Sequence, residues 1–153
     1  LNTFTWTVRV RTEASRAVTV HARNHAFSIG DPLSFRPTDD HPSAIELMLG
    51  AFAADLTQTF RALARKRRLT LDALEFSATC TLNNPLIHVG VIGEEGHPGL
   101  ERIEGTLYVS TDAEEEVLTA LWQETLRCSP LYTTLRKAAI ARPLSSHPRY
   151  VGA

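Results

Sequence analysis

The sequence predicts an α+β fold, and three observations carry that expectation. Runs that alternate apolar and polar residues form blocks, and these blocks stand apart from the runs with helical spacing. The resulting order is strands, a long central helix, strands, then two helices. The chain has 153 residues, 43% hydrophobic and 22% charged, which suits the core of a single domain over 1–153.

The first thirty residues read as strands. From Thr3 to Arg11, Phe4, Trp6, Val8 and Val10 alternate with polar residues, the period of a half-buried strand. A polar turn over 12–16 precedes renewed alternation from Ala17 to Ala22, so a hairpin is expected. Ala26–Ile29 makes a short third strand, ended by Gly30-Asp-Pro32. A Pro- and Asp-rich loop covers 31–42.

The long helix opens at Ser43. Ser43 and Glu46 form a capping-box pattern, in which each side chain meets the other's backbone N–H. Ile45, Leu49, Phe52, Leu56, Phe60 and Leu63 then recur on one face. Arg61, Arg65, Lys66, Arg67 and Arg68 close the helix, where basic groups suit the negative end of its dipole. A solvated helix end explains this basic run better than an anion or nucleic-acid site does.

Leu71–Leu82 is strand-like, with Leu74, Phe76, Ala78 and Cys80 on one side. Asn83-Asn-Pro85 turns the chain. Leu86–Ile92 and Ile103–Val109 are expected as further strands, with a loop over 94–99 between them. Thr111 and Glu114 form a second capping-box pattern, opening a helix through Val117, Leu118, Leu121, Trp122 and Leu126. Ser129-Pro130 opens a last helix, with Ser as N-cap and Pro in the first turn. The tail after Ala141 is expected to be irregular or a short edge strand.

Several function classes are excluded by these features. The formal net charge of −1 gives no pull toward nucleic acid or an anionic membrane. The most apolar stretch, Ala44 to Leu56, is too short to span a bilayer and is interrupted by Glu46, Gly50 and Asp55. No basic start with an apolar run suggests a signal peptide, so a soluble, cytoplasmic protein is expected. Cys80 and Cys128 do not make a disulfide framework. His21 and His25 give only a weak metal signal, and no metal or cofactor is expected.

Four segments resemble the OsmC/Ohr family (osmotically inducible protein C and organic hydroperoxide resistance protein). His21–His25 through Gly30-Asp-Pro32 resembles the family's strand and its following turn. His41–Ala51 (HPSAIELMLGA) resembles the start of its central helix. Leu71–Phe76 resembles the next strand, and Leu126–Pro130 (LRCSP) resembles the segment around the family's second cysteine. The order and spacing are more specific than any one piece. The resemblance runs from the first strand to Lys137.

The resemblance implies an OsmC-like fold and an intertwined homodimer with sites at its interface. It also implies thiol-dependent hydroperoxide reduction in a stress response. In that chemistry a helix cysteine attacks the peroxide and becomes a sulfenic acid, which a second cysteine resolves as a disulfide. An Arg and a Glu assist. Counting nine residues from Glu46, which matches the helix Glu of one subgroup, the first cysteine's place is held by Asp55. Cys128 matches the second cysteine, and Arg36 is a loose match to the Arg.

Asp55 removes the expected nucleophile, because a carboxylate cannot attack the O–O bond and be recycled by a reductant. An Asp within an apolar helix must be paired or solvated. It is either a partly solvated structural residue, or a proton-transfer group or ligand anchor met by Arg36, Arg23 or an Arg of a second subunit. Cys128, just before a helix N-terminus, is either a reactive thiol favoured by free N–H groups or a small junction residue. Cys80 reads as an inert core thiol. Glu46 has a local explanation as a capping residue and lies about half a turn out of phase with Asp55.

Three functions compete. The first is an OsmC-like protein without standard thiol peroxidase activity that binds a small hydrophobic or peroxide ligand at the dimer interface. The second is a redox enzyme using Cys128 as its only motif cysteine. The third is a protein that kept the dimer and lost all chemistry.

Overall fold

The β2–β3 hairpin shows how locally this chain sets its register. Val18–Ala22 (β2) pairs antiparallel with His25–Ile29 (β3), from Val18 opposite Ile29 to Ala22 opposite His25. Only two residues connect them, and Arg23 takes φ 56°, the left-handed conformation that so tight a turn demands. Arg9–Thr12 (β1) pairs with the other edge of β2, giving a sheet in the order β1-β2-β3. This computed structural model describes residues 4–12, 17–33, 40–138 and 149–150.

The chain divides into two compact units, Leu1–Met48 and Leu49–Ala153. In the first unit, strand pairing starts at Arg9, later than the alternation suggested. Phe4, Trp6, Val8 and Val10 do alternate but are exposed, Trp6 by 84%, so the expected half-buried strand is not seen in a single chain. Gly30 makes a parallel bridge to Ser43, and its N–H donates to Pro42 O at 2.9 Å. A Cβ on Gly30 would lie 3.0 Å from His41 O, so a larger residue would press on this crossing.

The predicted capping box forms. Ser43 N–H donates to Glu46 Oε2 at 2.7 Å, and Glu46 N–H donates to Ser43 Oγ at 3.2 Å. It starts the central helix Ala44–Lys66 (α1).

The second unit holds the core. Phe52, Leu56, Phe60 and Ala64 are buried along α1, with Leu49 and Leu63 partly buried against the same cluster. Ala73–Leu82 (β4) alternates strictly, with Leu74, Phe76, Ala78 and Cys80 on its less exposed side as expected. It pairs antiparallel with Leu100–Ser110 (β5), which supplies buried Leu107 and Val109. Glu115–Cys128 (α3) adds Leu118, Leu121, Trp122 and Leu126. Each large apolar side chain buried here contributes about 1.5–3 kcal/mol.

The aromatic centre fixes how these layers meet. The ring of Phe76 lies 6.4 Å from that of Phe52, edge to face, and 6.1 Å from that of Trp122. Trp122 in turn lies 6.4 Å from Phe60. Gly105 is required beneath Phe76, because a Cβ there would stand 2.3 Å from the ring's Cζ.

Two sequence expectations are corrected. Leu86–Ile92 is not a strand. Pro85–His88 is a single helical turn (α2), opened by the Asn84 side chain accepting from Leu86 N–H and by Pro at its start. Capping and proline here override a short apolar alternation. Thr111 and Glu114 form no capping box either, since the N-cap of α3 is Glu114 with no side-chain cap bond. The Thr111 hydroxyl instead donates to Thr70 O at 2.6 Å and accepts from Ala113 N–H at 3.3 Å.

After α3 the chain turns at Ser129 into Pro130–Ala138 (α4). In the tail, Arg149–Tyr150 (β6) pairs parallel with β5, forming an edge strand in the order β4-β5-β6. Among the described residues, no helix is long and apolar enough to cross a membrane.

Candidate functional site

Two polar residues meet where α1 passes the start of α4. Asp55 lies on α1 next to buried Leu56 and is itself half-buried. A carboxylate there needs donors. It finds two: Ser129 Oγ–H donates to Asp55 Oδ2 at 2.5 Å, and Leu131 N–H donates to the same oxygen at 3.1 Å. Ser129 is fully buried at 0% exposure.

Asp55 therefore caps a helix that is not its own. The first turn of an α-helix leaves backbone N–H groups without helical partners, and the dipole favours an anion there. In α4 those donors are all engaged. Pro130 has no N–H to satisfy. Leu131 N–H goes to Asp55, Tyr132 N–H to Ser129 Oγ at 3.0 Å, and Thr133 N–H to Ser129 O at 3.1 Å. Ser129 is the predicted N-cap, and its hydroxyl also passes a hydrogen bond on to Asp55.

Among the described residues, the partners of Asp55 are a hydroxyl and a backbone amide, not a guanidinium. Sequence reasoning found both ends separately, a polar residue in an apolar helix and a Ser-Pro helix start. It did not join them, because 74 residues separate Asp55 from Ser129.

A sequence profile of the family described as OsmC-like protein matches residues 37–141, more than half of the chain. The chain belongs to the OsmC-like protein family. No curated protein sequence matches it. Solved structures agree on the fold. An OsmC-like protein from Mycoplasma pneumoniae has a TM-score of 0.77 at 14% identity, covering 98% of each chain. The organic hydroperoxide resistance protein OhrB of Bacillus subtilis has a TM-score of 0.58 at 18% identity, again covering 98% of each chain. An organic hydroperoxide resistance protein from Elizabethkingia anophelis has a TM-score of 0.66 at 13% identity, covering 99% of this chain and 97% of that one. The α+β, OsmC-like architecture is thus shared across relatives of very low sequence identity.

The other residues expected at an OsmC-like site fall as follows. Cys128 is the last residue of α3, is exposed, and is followed directly by Ser129. The sequence suggested that free N–H groups of α4 would favour its thiolate, but the first-turn donors are taken. Cys80 is a free, half-buried thiol on β4, and burial raises its pKa. Glu46 is held by Ser43, whose backbone N–H and then hydroxyl hold its carboxyl below the usual range. Arg36 lies outside the described residues. Among the described residues, no cluster of His, Cys, Asp and Glu is arranged to hold a metal.

Proposed function

We propose that this OsmC-like protein has no standard thiol peroxidase activity and instead binds a small molecule at the interface of a cytoplasmic homodimer. One observation carries the reading. The residue at the position assigned to the peroxidatic cysteine, Asp55, is committed to capping α4. Its carboxylate is not a nucleophile toward O–O bonds, and its acceptor oxygen is already engaged. The relatives named organic hydroperoxide resistance proteins supply the reaction class that this chain has left.

The proposed dimer is supported by the exposed apolar row Phe4, Trp6, Val8 and Val10, which runs into the edge strand β1. Scattered apolar residues are ordinary on a surface, but a contiguous row marks an interaction site. A second copy presenting the same row is the simplest closed arrangement. Native mass spectrometry of the purified protein tests both parts. The expected result is a dimer that carries a small organic ligand. A monomer, or a ligand-free dimer that consumes organic hydroperoxide, removes the reading.

The exposure of Cys128 favours a second reading. Its thiolate would attack a hydroperoxide, releasing an alcohol and leaving a sulfenic acid. An external dithiol would then reduce that acid to thiol and water, becoming a disulfide. This reading requires Cys128 to react with alkylating agents faster than free cysteine does.

A further inference from the structure

The cleft between the C-terminal end of α3 and α4 belongs to none of the chemistry above. It encloses about 610 Å³ and is lined by Gln123, Leu126, Arg127, Tyr132, Arg136 and Lys137, with Thr133 at its side. That volume lies within the usual range for small-ligand sites. Leu126, only 9% exposed, and half-buried Tyr132 give it an apolar wall. Three cations share its rim.

Those cations are poorly neutralised. Arg127 reaches Glu124 Oε1 only at 3.9 Å, and the other oxygen of Glu124 is held by Arg67. Among the described residues, neither Arg136 nor Lys137 has an ion-pair partner. The basic ends of α3 and α4 suit their helix dipoles, which accounts for the sign of these charges. The dipoles do not account for charges from two helices converging on one hollow. Three cations without close ion-pair partners around one half-open hollow present a charge that a polyanion complements.

We propose that this cleft binds a small polyanion with an apolar portion, its charged group held by Arg127, Arg136 and Lys137 and its apolar part against Leu126 and Tyr132. A group carrying two or more negative charges, such as a phosphate ester or a pyrophosphate, matches three cations better than a single carboxylate does. Two arginines can each grip its oxygens in bidentate fashion. The proposal goes beyond the loss of thiol chemistry and does not depend on it.

Isothermal titration calorimetry of the full chain tests it, with inorganic pyrophosphate and citrate as probes near physiological ionic strength. Pyrophosphate is expected to bind saturably. Arg127→Gln and Arg136→Gln should each weaken it about tenfold, equivalent to about 1.4 kcal/mol. Both residues are exposed, and unchanged melting temperatures will show that the variants are folded. Tighter binding of citrate than of pyrophosphate would overturn the choice of phosphate chemistry. Absence of saturable binding tighter than about 1 mM for either probe, or an affinity in both variants equal to that of the unaltered protein, would overturn the site itself. These binding outcomes are read independently of hydroperoxide turnover, so the two proposals fail separately.

Discussion

Replacing Asp55 by Ala removes the acceptor that ties α1 to the start of α4. Two donors lose their partner. The Ser129 hydroxyl is fully buried and has no water to turn to, so its loss costs about 1–3 kcal/mol. Leu131 is an exposed residue, where water replaces the acceptor, so this loss resembles that of an ordinary helix cap at about 1 kcal/mol. The sum is about 3 kcal/mol, which for a chain of this size lowers Tm by about 6–12 °C. Asp55→Asn keeps an oxygen of the same reach and loses only the charge facing the helix dipole, about 1 kcal/mol. Chemical denaturation at fixed protein concentration gives both numbers. A double-mutant cycle with Ser129→Ala should show strong coupling, because the two residues share one hydrogen bond. If Asp55→Ala stays within about 0.5 kcal/mol of the parent, the carboxylate does not hold α4 and the account of Asp55 is wrong.

Three further outcomes are expected. Gly105→Ala forces a methyl into the Phe76 ring, which Phe52 and Trp122 hold in place, so denaturation should show a loss of about 1–3 kcal/mol. The carboxyl pKa of Glu46 is lowered in the folded state, so its stabilisation is present above the unfolded carboxylate range and lost as pH falls through the folded value. Glu46→Gln should therefore flatten the acid side of the stability–pH curve, and an unchanged slope would count against the capping box. Alkylation followed by mass spectrometry should label exposed Cys128 before Cys80, whose thiol is half-buried with a raised pKa.

Much of this fold could be read from local signals. The Ser43–Glu46 box, the apolar stripe of α1 and the alternation of β4 involve neighbours within a few residues, and all three appear as expected. Expectations fail where a second local signal competes or a distant partner intervenes. Leu86–Ile92 looked like a strand by its apolar residues, but Asn84 and Pro85 start a helical turn there. Thr111 fits a capping pattern, yet its hydroxyl is drawn away by Thr70 O, a partner from another part of the chain.

The candidate site was half legible. An Asp in an apolar helix must be paired or solvated, and Ser129-Pro130 marks a helix start. That each satisfies the other depends on the tertiary path, which carries no local sequence mark. The α3–α4 cleft escaped for the same reason. Arg127 stands in the last turn of α3 and Arg136 and Lys137 in the last turn of α4, and only packing brings them to one hollow.

The absence of standard thiol peroxidase activity in this chain is the proposal on which its functional reading rests. Its most direct test is consumption of tert-butyl hydroperoxide with a dithiol reductant, measured for the unaltered protein and for Cys128→Ser. Neither is expected to exceed the reductant alone. Turnover that disappears in Cys128→Ser would contradict it and make Cys128 the working nucleophile.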